Sequence, residues 1–232
     1  MGAQRAVERD PLLSGFYSER DAARLLRLDN SRRLHGWLSG WKSDGAKPII
    51  ARDFADSAVV SFLDLMELRF VAHFRQQGVP LQTLRRAAEQ ARADWKTSHP
   101  FALSKSKYLT DRRKIFGQVA KDAGDKVTWD MATNQLEMWE VIESIVAKGV
   151  EFDPASNLAE RWTPLRNDCP NVIIDPRLAF GRPVIGAKGV PTAALFRQWR
   201  AEAGNAERVA NWFKVSAGEV AQAVEFEMLI AA

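Results

Sequence analysis

Residues 172–191 decide the fold of the C-terminal part of this chain. They read VIIDPRLAFGRPVIG over 172–186, with Val190-Pro191 shortly after. The apolar start predicts a β-like entry, and Gly181-Arg182-Pro183 predicts a tight corner. Three short amphipathic helical patterns follow, one opened by Pro191, one running from Ala206 to Phe213 and one capped by Ser216. This combination is typical of a small winged-helix or helix-turn-helix module and not of a catalytic pocket.

The charge of the chain is distributed unevenly. The 232 residues are 46% hydrophobic and include eight Trp, which suits one large domain or two ordinary ones with a real core. Residues 1–116 hold 21 Lys/Arg against 13 Asp/Glu, a net of +8, whereas residues 117–232 hold 12 against 16, a net of −4. A basic front half attracts polyanions such as DNA, and an acidic rear half suits a basic protein partner. The alternative is chance asymmetry between solvated faces.

A second helix-turn-helix pattern lies near the N-terminus. Ser18 and Asp21 have capping-box spacing at the start of a helix that reaches Leu26. A short turn follows, and Asn30 is a candidate cap for a second helix that ends near Leu38. Two helices of this length joined by a three- or four-residue turn are what a helix-turn-helix needs.

The next segment predicts a wing and two helices. The Ser-Asp-Gly turn at 43–45, within residues 41–54, predicts a β-hairpin wing. A strongly apolar helix then starts at Ser57 or Ser61 and ends before Gly78, and Pro80 opens another helix that runs to Trp95. Over residues 16–95 this order resembles the MerR-type winged helix.

Residues 100–165 alternate between sequence patterns typical of strands and patterns typical of helices. Strands are predicted at 108–110, 114–119 and 127–129, followed by a helix over 135–148 and another strand pair near Phe152 and 162–165. The segment therefore predicts a small α/β connector.

Nothing in the sequence favours catalysis. The three histidines, His35, His73 and His99, lie near no nucleophile motif, and no glycine-rich loop has phosphate-binding spacing. We expect His73 to be structural and His99 to lie in a loop. The lone Cys169 has no companions at zinc-ligand spacing. We therefore predict no catalytic residue, no metal site and no cofactor. The acidic residues Asp122, Asp125 and Asp130 are expected to lie in solvated turns.

The candidate DNA-binding residues come from the N-terminal helices and the wing. Polar and basic side chains on the second helix can reach base edges or phosphates, and those on the first helix and the wing can reach phosphates. The predicted set is Arg20, Arg24, Ser31, Arg32, Arg33, His35, Lys42 and Lys47. The alternative is a surface helix with ordinary charges.

The last helix has a different character. It carries Glu219, Glu225 and Glu227 and no Lys or Arg, so a phosphate groove would repel it. We expect it to serve dimerisation or partner binding, with the apolar Met228 as an anchor; packing in the core of its own module is the alternative for the apolar end.

The 172–227 segment resembles the family catalogued as domain of unknown function 433, a set of small bacterial antitoxin-type proteins. Together with the MerR-like start, the chain resembles a VapB-type antitoxin. The resemblance implies operator DNA and a PIN-domain ribonuclease toxin as partners. The lone Cys169 and the absence of an apolar run long enough to cross a bilayer predict a soluble protein of the cytoplasm. A homodimer would place two recognition helices in successive major grooves about 34 Å apart.

We therefore predict a mainly α fold with small β elements, divided into three domains. These are a winged helix-turn-helix at 14–98, an α/β connector at 99–168 and a C-terminal helix-turn-helix-like three-helix module at 169–232. Two alternatives remain open for the function. One is a stand-alone MerR-like transcription regulator whose C-terminal half dimerises or senses a ligand, and the other is an adaptor that contacts only proteins.

Overall fold

The computed structural model describes residues 11–28, 31–41, 45–55, 57–133 and 136–231. It is mainly helical, with two small antiparallel sheets. The chain divides into two compact units, residues 18–160 and residues 161–232 together with the segment that ends at Tyr17. We call them the helical unit and the C-terminal unit. Among the described residues, no helix combines the length and the apolar character that crossing a bilayer requires.

The helical unit contains seven helices among its described residues. They are α1 (Glu19–Leu25), α2 (Ser31–Ser39), α3 (Phe62–Gln76), α4 (Leu81–Trp95), α5 (Lys105–Ala123), α6 (Lys126–Thr133) and α7 (Leu136–Ala147), and a 3-10 helix at Pro100–Ala102 precedes α5. Two predicted starts are confirmed: Ser18 forms a capping box with Asp21, and Ser61 forms one with Asp64.

Helix α3 is the centre of this unit because 11 of its 15 residues are buried. Its Phe70 and Phe74 stack on each other with ring centroids 4.3 Å apart. Phe101 stacks on Phe70 at 4.2 Å, and Phe116 and Trp139 lie 5.4 and 5.1 Å from Phe74. Such aromatic clusters bury large apolar areas, so they fix α5 and α7 against α3.

The strands predicted between residues 108 and 129 are wrong, since this segment forms α5 and α6. Ile115, Phe116 and Ala120 recur at helical spacing and are buried on one face of α5. Gly117 belongs to the packing, because a Cβ built there would lie 3.6 Å from the Ala132 Cβ of α6. The β-branched and aromatic residues that suggested strands are helical here because tertiary packing overrides local propensity.

The two units are joined by a short β segment. Strands β1 (Val150–Phe152) and β2 (Ala159–Trp162) form a two-stranded sheet. A strand pair was predicted near Phe152 and 162–165; the pair is present, but its second strand ends at Trp162 and residues 163–165 are not strand. The three-domain division stays a prediction.

The C-terminal unit has a three-stranded sheet followed by three helices. Strands β3 (Val172–Ile173), β4 (Val184–Ile185) and β5 (Val190–Pro191) pair antiparallel in that order. Helices α8 (Thr192–Ala201), α9 (Ala206–Phe213) and α10 (Ala217–Ala231) follow and match the predicted helical trio. Ser216 and Glu219 exchange both capping-box bonds at the start of α10, as the sequence predicts.

The N-terminal segment packs on the corner at Gly181. Tyr17 donates its hydroxyl hydrogen to the Gly181 carbonyl at 2.7 Å, and the backbone amide of Phe16 donates to the Phe180 carbonyl at 3.0 Å. Gly181 has a φ of +81°, and a Cβ there would lie 2.3 Å from the Tyr17 oxygen. Only glycine fits this position, because any side chain would meet both the strained backbone and the tyrosine.

Candidate functional site

The predicted DNA-reading residues that the structure describes on α1 and α2 are exposed. Arg20 and Arg24 lie on α1, and Ser31, Arg32 and Arg33 lie in the first turn of α2. The opposite faces are buried through Ala22, Ala23, Leu25, Leu34 and Leu38. The apolar spacing therefore turns the arginines to the outer surface. We call the exposed Arg20, Arg24, Arg32 and Arg33 the basic surface.

His35 also lies on the exposed side of α2, but it has a carboxylate partner. Its Nδ1 lies 3.0 and 3.1 Å from the two carboxylate oxygens of Glu19 on α1. A histidine held by a carboxylate is engaged within the protein before any phosphate approaches.

The predicted wing follows α2. Trp41 and Ala46 form an isolated antiparallel bridge, and the Trp41 ring lies close against Gly36, where a Cβ would overlap it at 2.2 Å. Lys47 is exposed, and its carbonyl accepts a hydrogen bond from Arg85 Nε at 2.6 Å. Lys42 lies outside the described residues. The bridge and the Arg85 bond fix the backbone of Trp41, Ala46 and Lys47, and the winged arrangement stays a proposal.

The predicted partner-binding residues divide into exposed and engaged side chains. Glu225 and Met228 are exposed and lie three residues apart on one face of α10. Glu219 serves the capping box, and the bonds from Ser216 lower the pKa of its carboxyl despite some desolvation. Glu227 is buried, where its Oε1 accepts the Thr192 hydroxyl hydrogen at 2.5 Å. Its carboxylate is therefore not available to a partner in this fold, contrary to expectation.

A cluster of ionisable side chains inside the helical unit was missed by the sequence reasoning. His99 is buried, and its Nε2 lies 2.8 Å from Asp53 Oδ1. Its Nδ1 lies 3.9 Å from Asp64 Oδ1 and 3.7 Å from Glu67 Oε2. We call these four residues the His99 cluster. His99 does lie outside regular helix, as predicted, but unlike an exposed loop histidine it is buried among carboxylates.

The cluster ties three segments together. Glu67 Oε1 accepts the backbone N–H of Phe101 at 3.0 Å, and Asp64 accepts the backbone N–H of Ser61 at 3.0 Å. Burial alone lowers the pKa of His99, but the bond to Asp53 and the charge of Glu67 outweigh it and raise the pKa to about 10. Burial raises the pKa of Asp64. A positive imidazole can thus hold three carboxylates together.

One signal in the sequence could have revealed this cluster. Asp64 and Glu67 are three residues apart, and therefore on one face, in a helix that is otherwise strongly apolar. Buried carboxylates require a partner that donates a hydrogen bond or carries a positive charge. His99 supplies it from 32 residues beyond Glu67, a separation at which sequence patterns carry no information.

Several other residues considered in the sequence have structural contacts. Asp125 caps α6 by accepting the Thr128 amide at 3.1 Å and accepts the Thr83 hydroxyl at 2.7 Å. Asp122 accepts from Gln118 on the same helix. Burial raises the pKa of the Cys169 thiol to about 11, which disfavours the reactive thiolate. His73 is half-buried, and burial followed by the charge of Arg69 lowers its pKa.

This chain is similar to a named protein and to a solved structure. No family model matches this chain. A protein of Mycobacterium tuberculosis (strain ATCC 25618 / H37Rv) named "Putative antitoxin VapB45" is 26% identical over 208 residues, spanning 81% of this chain and 84% of that protein. The crystal structure of Rv2018 from Mycobacterium tuberculosis is similar with a TM-score of 0.67 and 23% identity, and the match covers 93% of this chain and 98% of that one. The structural similarity shows a shared fold.

Proposed function

We propose that this chain is the antitoxin of a type II toxin-antitoxin pair, a regulatory protein of the cytoplasm and not an enzyme. The observation that carries the proposal is the similarity to the protein named as an antitoxin, because it extends over more than four fifths of both chains. A match confined to one short module would support the assignment of a function to that module alone. The further steps, operator binding and neutralisation of a PIN-type ribonuclease, rest on the surfaces described above.

DNA binding is assigned to the basic surface of α1 and α2. Four exposed arginines on two short adjacent helices supply the positive charge that phosphate contacts need. Arg32 and Arg33 lie in the first turn of α2, where a recognition helix contacts base edges. In a homodimer, two such helices would meet a palindromic operator in successive major grooves.

Toxin binding is assigned to the exposed face of α10. Glu225 and Met228 join an acidic group and an apolar group on one helical face, and α10 contains no basic residue to oppose a basic partner. A ribonuclease carries positive charge along its RNA path, so an acidic helix is electrostatically complementary to it. The apolar side chain of Met228 supplies a contact that excludes water, as the centre of a protein interface requires.

The test is co-expression of the full chain with the product of the adjacent gene, read by growth and by size-exclusion chromatography. We expect a stable complex and restored growth. The double variant Glu225→Lys/Met228→Asp should lose rescue while keeping DNA binding, and Arg32→Glu/Arg33→Glu should lose DNA binding while keeping rescue. Each variant is the control for the other. A neighbouring product that is neither toxic nor bound would refute the antitoxin and favour a stand-alone regulator.

A further inference from the structure

We propose that the His99 cluster, formed by Asp53, Asp64, Glu67 and His99, is a binding site for one divalent transition-metal cation. The site lies within the helical unit, between the turn that carries Asp53, the first two turns of α3 and the residue that precedes the 3-10 helix. It is separate from the basic surface and from the exposed face of α10. The proposal does not depend on the antitoxin assignment.

The first argument is the arrangement of ligand atoms. One carboxylate oxygen each from Asp53 and Asp64 and one imidazole nitrogen of His99 all lie within 4.8 Å of one another. Atoms that share one ion at bonds of about 2.0–2.2 Å are separated by up to about 4.4 Å, so modest side-chain movement brings all three to bonding distance. Glu67 Oε2, 3.7 Å from His99 Nδ1, is the fourth candidate ligand.

The second argument is a pair of buried atoms that face each other at 3.7 Å, an ion-pair distance too long for a hydrogen bond. Glu67 is fully buried and His99 is 4% exposed, yet within the described part of the chain neither Glu67 Oε2 nor His99 Nδ1 has a hydrogen-bond partner. The other oxygen of Glu67 already accepts the Phe101 amide. Buried polar atoms without partners are rare and costly, and here both face the same small space. A cation beside them would satisfy both.

The third argument is charge. Three carboxylates surround a single imidazole, so the cluster remains negative even when His99 is protonated. A divalent cation compensates more of this charge than a proton does.

The donor set indicates the class of ion. One imidazole nitrogen with carboxylate oxygens and no thiolate suits Mn²⁺ or Zn²⁺ better than Mg²⁺ or Ca²⁺, which prefer oxygen alone. Asp53 supplies an entrance, since its side chain is 28% exposed while those of Asp64 and Glu67 are fully buried. An ion can therefore reach the cluster from solvent through the Asp53 turn.

The test uses the full-length chain after treatment with a chelator. MnCl₂ and ZnCl₂ are titrated by calorimetry, with MgCl₂ for comparison, and bound metal is counted by mass spectrometry. We expect saturable binding of one Mn²⁺ or Zn²⁺ per chain and at least about tenfold weaker binding of Mg²⁺. Because the chain has three histidines, NMR of their ring protons locates the ion: substoichiometric Mn²⁺ should broaden His99 before His35 and His73.

Two variants and a matched control complete the test. Asp53→Asn and Glu67→Gln should each weaken binding by at least about tenfold, while Glu89→Gln, an exposed charge on α4, should bind as the wild type does. Circular dichroism checks that each variant is folded. If Glu67→Gln fails to fold, Asp53→Asn and the wild-type NMR titration still decide. No saturable binding, equal binding by Asp53→Asn, or broadening of another histidine first would each overturn the proposal.

Discussion

The contribution of the basic surface to DNA affinity can be worked out from the number of exposed charges. Each phosphate neutralised by a cationic side chain contributes about −0.9 to the slope of log K against log salt concentration. Arg20, Arg24, Arg32 and Arg33 are exposed on α1 and α2, which gives a slope of about −3.6 for one chain on duplex DNA. Two chains on one site would give a slope of about −7.

The perturbation is the double variant Arg32→Gln/Arg33→Gln. Removing two of the four cations should reduce the slope by about 1.8 per bound chain. If phosphate contacts contribute little at 1 M salt, the same difference corresponds to about 60-fold weaker binding at 0.1 M. Both side chains are exposed, so the fold should be unaffected.

The assay is fluorescence anisotropy of a labelled duplex between 50 and 300 mM KCl. Because the phosphate contribution is independent of sequence, any duplex measures it, and no operator needs to be known. The matched control is Arg197→Gln/Arg200→Gln, which neutralises two exposed arginines on α8 of the C-terminal unit. An unchanged slope in the Arg32/Arg33 variant, or an equal reduction in the α8 control, would refute the assignment of DNA binding to α1 and α2.

Two further predictions concern the C-terminal unit. Gly181→Ala should lower the free energy of unfolding by about 2–4 kcal/mol, because the new Cβ meets the Tyr17 hydroxyl as well as a left-handed backbone. Gly189→Ala has a similar φ but nothing within 4 Å and should cost only about 1 kcal/mol, so equal losses in thermal or urea unfolding would contradict the contact. Asp175→Asn should destabilise the protein by about 2 kcal/mol at pH 7. Although burial opposes it, the bonds from Arg177 hold the pKa of Asp175 below its usual 3.8. That stabilisation is present above pH 4 and is lost as the pH falls through the folded pKa. The free energies of unfolding of the wild type and the variant should therefore converge in acid. A difference that persists at low pH would show that the charge of Asp175 is not the source of the stabilisation.

Local sequence patterns were sufficient to predict a helix start where that start depends on two residues three positions apart. The capping boxes of Ser18 with Asp21 and of Ser216 with Glu219 were predicted, and Ser61 was one of two predicted starts for α3, since each bond is formed within one turn of chain. Pro80 opens α4 as expected because a proline at this position loses no helical hydrogen bond. The apolar spacing also placed the arginines of α1 and α2 on the outside.

Local patterns failed to predict secondary structure and burial where these depend on packing against residues distant in the sequence. Residues 108–129 contain β-formers, yet they are helical because Ile115 is buried and Phe116 packs into the aromatic cluster around α3. The same holds for Glu227, which was predicted to serve partner binding. Its carboxylate is buried because Thr192, 35 residues earlier in the chain, offers a hydroxyl at hydrogen-bonding distance.

The sequence by itself determined the starts of α1, α4 and α10, the corner at Gly181 and the exposed arginines, because each depends on neighbours within a turn or on the period of the helix. Tertiary structure alone decided the His99 cluster. Asp53, Asp64 and His99 come from separate segments, and only folding brings their polar atoms within 4.8 Å of one another. Burial then changes the chemistry of these groups, since removing water makes each unpaired charge depend on its few remaining neighbours.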